Sequence, residues 1–160
     1  MQYPQLIILE SAGWVARQLG ELVGENRWLV REPRSEANAL TLAREPRPAV
    51  LVVEIDPAAD RFDGFALIAN AHRFCPDVPL VAVSDVKLPD PDRAVWTAML
   101  LDLGARYVLF PPVTKSVLED LVSGLMAVVI RRVVGGEVPP PTPRPPSKPD
   151  GPIDLAEVGE

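Results

Sequence analysis

The chain has 160 residues, 48% of them hydrophobic, and a formal net charge of −6. That length and apolar content support one domain with a core of its own, and the acidic balance argues against nonspecific binding to nucleic acid or an anionic membrane, since both reward clustered Lys and Arg. One cysteine, Cys75, excludes an internal disulfide, and one histidine, His72, cannot join it in a zinc site of ordinary ligand number, so a cytoplasmic, metal-free chain with a protein or small-ligand partner is expected.

QLIILE, residues 5–10, is a short apolar run ending in an acid. The N-terminus lacks a basic n-region and a long apolar run, so it predicts a strand and not a signal peptide. Trp14, Val15, Leu19, Leu22 and Val23 follow at helical spacing until Gly24 and Asn26 break the pattern. RWLVRE, residues 27–32, is apolar in its middle and charged at both ends, which suits a strand near a sheet edge. Ser35 offers an N-cap for a helix running to about Glu45, stopped by Pro46 and Pro48.

AVLVVEI, residues 49–55, is almost wholly apolar and rich in valine, the pattern of a central parallel strand covered on both faces. A helix over 64–74 carries Phe65, Ile68, Ala71 and His72 on one side and ends before Pro76. PLVAVS, residues 79–84, predicts the next buried strand. Asp90 as N-cap and Pro91 as first helical residue lead into a helix with Val95, Trp96, Met99, Leu100 and Leu103 on one face, closed by Gly104. RYVLF, residues 106–110, predicts a fifth strand, and Thr114 or Ser116 opens a last helix to about Arg132.

From Gly135 the character changes. GGEVPPPTPRPPSKPDGP holds eight of the chain's 19 prolines and almost no apolar anchor, so a linker or disordered tail is expected over 135–160, ending in the acidic-apolar IDLAEVGE. No stretch is apolar for long enough to span a membrane.

Five strand–helix units in strict alternation predict an α/β fold, a doubly wound five-stranded parallel sheet with right-handed crossovers. In such sheets the ligand site lies beyond the carboxyl ends of the strands. The groups expected there are Glu10 and Ser11, Glu54 and Asp56, Ser84 and Asp85, then Phe110 and Pro111.

These pieces, in this order and spacing, resemble the receiver domain of bacterial response regulators. PAVLVVEI is similar to the strand that carries the phosphoacceptor aspartate, Asp63-Gly64 to the acidic-glycine start of the third helix, VPLVAVS to a fourth strand ending in Ser or Thr, and DLGARYVLFPP to the segment around the fifth strand. The resemblance covers roughly residues 5–132. It implies a flavodoxin-like three-layer sandwich with strand order 2-1-3-4-5, a receiver-like domain over 1–134 and a tail after it. It also implies an acidic pair that holds Mg²⁺, an aspartate nucleophile, a hydroxyl and a lysine that contacts the phosphoryl group.

The departures from that pattern decide the expected function. The acidic pair is Glu10 and Ser11, and the lysine position is Phe110, which offers no charge to phosphoryl oxygens. Two registers compete at the acceptor. Aligned from the upstream proline and apolar run it is Glu54; aligned backward from Asp63-Gly64 it is Asp56, which would bury Glu54 inside a central strand at some cost. The first is preferred. Glu54 then either mimics a phosphorylated aspartate or merely solvates a strand end. Ser84 and Tyr107 match the family's switching hydroxyl and aromatic.

The expected protein is a degenerate, stand-alone pseudo-receiver that acts by protein–protein contact in signal transduction, without enzymatic activity or cofactor. The alternative is a phosphorylatable regulator using Asp56, with Mg²⁺ held by Glu10 and Asp56. Nucleophilic catalysis has no support, since Cys75 has no second histidine with which to build a base and its orienter; His72 is expected to pack. A flavodoxin-like ligand binder would need the Gly-rich phosphate loop that is missing after the first strand, and no helix-turn-helix length of sequence follows the last helix. That last helix is apolar over an unusually wide arc, so a signalling partner or a second copy is expected to dock on helix 4, strand 5 and helix 5 through Trp96, Met99, Leu125 and Met126. The tail is a further candidate for recognition.

Overall fold

The computed structural model describes residues 2–58 and 64–135. Asp60 and Asp63 of the acidic segment, and the Pro-rich tail beyond Gly135, lie outside the described residues.

The apolar runs form the strands. β1 (Gln5–Leu9), β3 (Ala49–Glu54) and β4 (Leu80–Val83) are buried along nearly their whole length, because each is covered on both faces. β2 (Leu29–Arg31) and β5 (Tyr107–Leu109) are short and partly exposed, as edge strands are. All pairings are parallel, in the order β2-β1-β3-β4-β5. Leu9 lies opposite Val53, Glu54 opposite Val83, and Val83 opposite Leu109, so four strands end at one level.

Side-chain alternation splits the sheet into two cores. On one face Ile7, Leu9, Leu51, Val53 and Ala82 pack against α2 (Glu36–Ala43), α3 (Gly64–Phe74) and α4 (Asp90–Leu103). On the other, Leu6, Ile8, Val50, Val52, Val81 and Val83 pack against α1 (Trp14–Asn26) and α5 (Lys115–Gly135). The result is the three-layer α/β sandwich that the alternation of elements predicts.

The helix ends follow local chemistry, with some differences from expectation. Ser35 does cap α2, its hydroxyl accepting from Asn38 N. Gly24 does not stop α1; the helix runs through it to Asn26 and ends where Arg27 turns left-handed, φ 57°. α4 begins one residue early, with Pro89 at the cap and Asp90 already helical, since Asp90 makes no cap bond and Pro91 suits the first turn equally well. Gly104 closes α4 at φ +124°, and a β-carbon there would lie 2.5 Å from the His72 Cβ and Cγ. His72 is accordingly not on the buried side of α3; it is exposed, with the root of its side chain resting on the bare face of Gly104.

Candidate functional site

The carboxyl ends of β1, β3, β4 and β5 gather the residues singled out above. Glu10 follows β1 and turns both oxygens to the start of α1, Oε1 accepting from Val15 N at 2.8 Å and Oε2 from Ala16 N at 2.9 Å. Helix N-termini leave such N–H groups without partners and favour negative charge. Gly13, at the cap position with φ 79°, has no side chain to offer, so the upstream carboxylate does the capping.

Glu54 is the last residue of β3 and half-buried. Its Oε1 accepts from Ser11 N at 2.9 Å and from Ser11 Oγ at 3.0 Å, and its Oε2 accepts from the Trp14 indole Nε1 at 3.0 Å. One side chain thus ties the end of the central strand to the β1–α1 loop and to the first residue of α1. Neither Glu10 nor Glu54 has a cationic partner among the described residues; Arg17, in the first turn of α1, instead donates to Ala12 O at 3.3 Å. Neutral donors therefore stabilise both charges.

Asp56 lies two residues beyond β3, exposed, with Oδ1 accepting from Ala58 N at 2.9 Å in a side-chain-closed turn. Ser84 is buried: its N–H donates to Leu109 O at 3.0 Å and its hydroxyl accepts from Val86 N at 3.0 Å. Phe110 is half-buried and comes just after β5 instead of on it. Among the described residues no group of three or more His, Cys, Asp or Glu is placed to hold a metal ion. One member of the site, Trp14, stands in the sequence only as an apolar helix position. The signal was indirect: a half-buried carboxylate with no nearby base needs a neutral donor.

On the opposite flank, the surface expected to dock a partner is rearranged. Leu125 is only 6% exposed and Met126 is fully buried, so neither belongs to an interface. They sit on the α5 stripe of Leu118, Val122 and Val129 that covers the sheet, and a wide apolar arc could not reveal which stripe that would be. The exposed face of α5 is Val117 and Val128, with half-buried Leu121 between them. Together with Tyr107, 44% exposed on β5, they line an open groove of about 570 Å³. Met99 on α4 is 40% exposed. Trp96 is half-buried and stacks on Phe65 at 5.3 Å between ring centroids.

No family model matches the sequence, and no curated protein matches it. Solved structures do. A CheY-like response regulator receiver domain protein from Methanospirillum hungatei superposes with a TM-score of 0.62 at 13% identity, over 82% of this chain and 99% of that one. The receiver domain of NtrX from Brucella abortus gives 0.60 at 15% identity, over 76% and 98%. The fold is that of a receiver domain. A chain described as an adenylate cyclase from Rhodopirellula baltica also matches, at 0.62 and 14% identity over 86% and 96%, so one receiver-like fold carries differently named proteins, and function must be read from the site. Among the described residues no helix is long and apolar enough to cross a membrane.

Proposed function

We propose that this receiver-fold chain serves two-component-type signalling as a protein–protein contact module whose phosphoryl chemistry has been replaced by a fixed hydrogen-bond network. The observation that carries the reading is the Glu54 carboxylate, engaged by three donors from Ser11 and Trp14. In this reading Glu54 occupies the acceptor position and does more than solvate a strand end. It holds the β1–α1 loop against β3 permanently.

The residues present do not fit Mg²⁺, which demands near-octahedral oxygen ligation. Both Glu10 oxygens face the α1 amides, Ser11 supplies no charge, and Asp56 is drawn into its own turn. Phe110 leaves a transferred phosphoryl group without a cation. Output then comes from the surface, and the exposed Val95, Met99, Tyr107, Val117 and Val128 are the residues on which a signalling partner or a second copy would dock.

The test is incubation of the purified chain with a small-molecule phosphodonor and Mg²⁺, followed by intact-mass analysis. No phosphoryl increment is expected. A stoichiometric, base-labile gain at Asp56 overturns the reading and favours the phosphorylatable alternative.

A further inference from the structure

At the opposite end of the sheet from Glu54, an open groove of about 360 Å³ lies between the α2–β3 connection, the end of α3 and the last turns of α5. Pro46, Pro48, Phe74, Val78, Val129 and Val133 supply its apolar lining. Phe74 is 49% exposed, and two guanidiniums, of Arg44 and Arg73, each lie 5.2 Å from its ring centroid. The acids at this rim are already engaged: Glu45 pairs with Arg31 and Arg47, and Asp77 is 3.9 Å from Arg132. Arg44 and Arg73 have no carboxylate partner among the described residues. Two like charges share one aromatic ring beside an apolar trough, an arrangement that favours a ligand both acidic and apolar.

The chain itself supplies one. α5 contributes Val129 and Val133 to the groove, and the described structure ends two residues later at Gly135. The remaining segment, 136–160, carries Glu137, Asp150, Asp154, Glu157 and Glu160 against only Arg144 and Lys148. Its branched apolar residues beyond Val138 are Ile153, Leu155 and Val158, interleaved with Asp154 and Glu157. We infer that the segment Ile153–Val158 docks in this groove of its own chain, its apolar side chains against Phe74, Val78 and Val133 and its acids against Arg44 and Arg73. The connection is no obstacle, because residues 136–152 reach about 50 Å even as stiff polyproline II. Tethering adds an effective concentration in the millimolar range without any new contact. The proline run 139–141 lies closer along the chain but brings a single acid, Glu137.

The experiment compares amide NMR spectra of the full chain with those of the full-length variants Leu155→Ser and Arg73→Glu. Arg73 is exposed and Leu155 lies beyond the described residues, so circular dichroism checks alongside that each variant keeps the fold. Leu155→Ser withdraws one apolar anchor and is expected to lower the docked-to-free ratio by roughly tenfold or more. Shifts should move at Phe74, Val78, Val129 and Val133, not at Ser11 or Glu54. Arg73→Glu should move the same amides in the same direction, and adding Asp154→Arg and Glu157→Arg should return them. Groove amides that do not respond to Leu155→Ser, or a response centred elsewhere, overturn the inference. Shifts that grow with protein concentration alongside a dimeric mass overturn it as well, because the occupant would then be the tail of a second copy.

Discussion

Removing the Glu54 carboxylate should destabilise the fold by an amount that can be apportioned among its three donors. In Glu54→Ala the indole N–H of Trp14, half-buried against the second core, loses its acceptor, which costs about 1–3 kcal/mol. Ser11 is exposed, so water replaces the acceptor of its two donors and each loss is about 0.5 kcal/mol. The sum is about 2–4 kcal/mol.

Glu54→Gln separates the donors. An amide offers one oxygen where the carboxylate offers two, and the low-cost rotamer keeps that oxygen on Trp14 and turns the NH₂ toward Ser11, whose hydroxyl can accept while its N–H turns to water. Glutamine should therefore cost only about 0.5–1.5 kcal/mol. Urea unfolding followed by circular dichroism, in double-mutant cycles with Trp14→Phe, checks this. Coupling of about 1–2 kcal/mol is expected in the alanine cycle and little in the glutamine cycle. If Glu54→Ala costs less than about 0.5 kcal/mol and couples to nothing, Glu54 does not hold the β1–α1 loop and the proposed fixed network fails.

The two faces of α5 should respond oppositely: Leu125→Ala and Met126→Ala should each cost about 2–5 kcal/mol in denaturant unfolding, whereas Val117→Asp and Val128→Asp should stay within about 0.5 kcal/mol and change only self-association on a sizing column. Gly104→Ala should lower stability by about 1–3 kcal/mol in thermal melts, and His72→Ala should not rescue it, because the His72 Cβ itself stands 2.5 Å from the added carbon. Lys115 and Glu21 are ion-paired between α5 and α1, which lowers the Glu21 pKa from 4.5 and raises that of Lys115 from 10.5. Their contribution is present above the ordinary Glu value and lost as pH falls through the lowered one, and it is present below the ordinary Lys value and lost as pH rises through the raised one. The pair is solvent-exposed, so the stability difference between the parent and Glu21→Gln should be small, flat between those limits, and shrink outside them; a difference that grows as pH falls below the Glu21 value or rises above the Lys115 value would contradict the assignment.

The layered fold was legible because its strands are nearly continuous apolar runs. AVLVVE can be covered on both faces only in a central parallel strand, and the caps and breakers between runs, Ser35, Pro76 and Gly104, act where they stand in sequence. The site was legible in its members but not in their wiring. Glu10 and Glu54 look like ligands-in-waiting when read along the chain; their partners are backbone amides and an indole N–H, which leave no motif. Similarly, α5 carries more apolar residues than one stripe needs, so periodicity alone could not choose between the stripe of Leu125 and Met126 and the stripe of Val117 and Val128. Only the packing against Val50, Val52 and Val81 makes that choice.

The neutral donors around Glu54 bear on how such a protein could carry information in a cell. On the proposed reading, a pocket answered by its own serine and tryptophan needs neither a kinase nor a divalent ion to reach its final shape. Every copy would then leave the ribosome already in the same state, with nothing to be reset. What a partner senses would be the number of molecules present, so that regulation would pass from chemistry on an aspartate to synthesis and degradation of the chain.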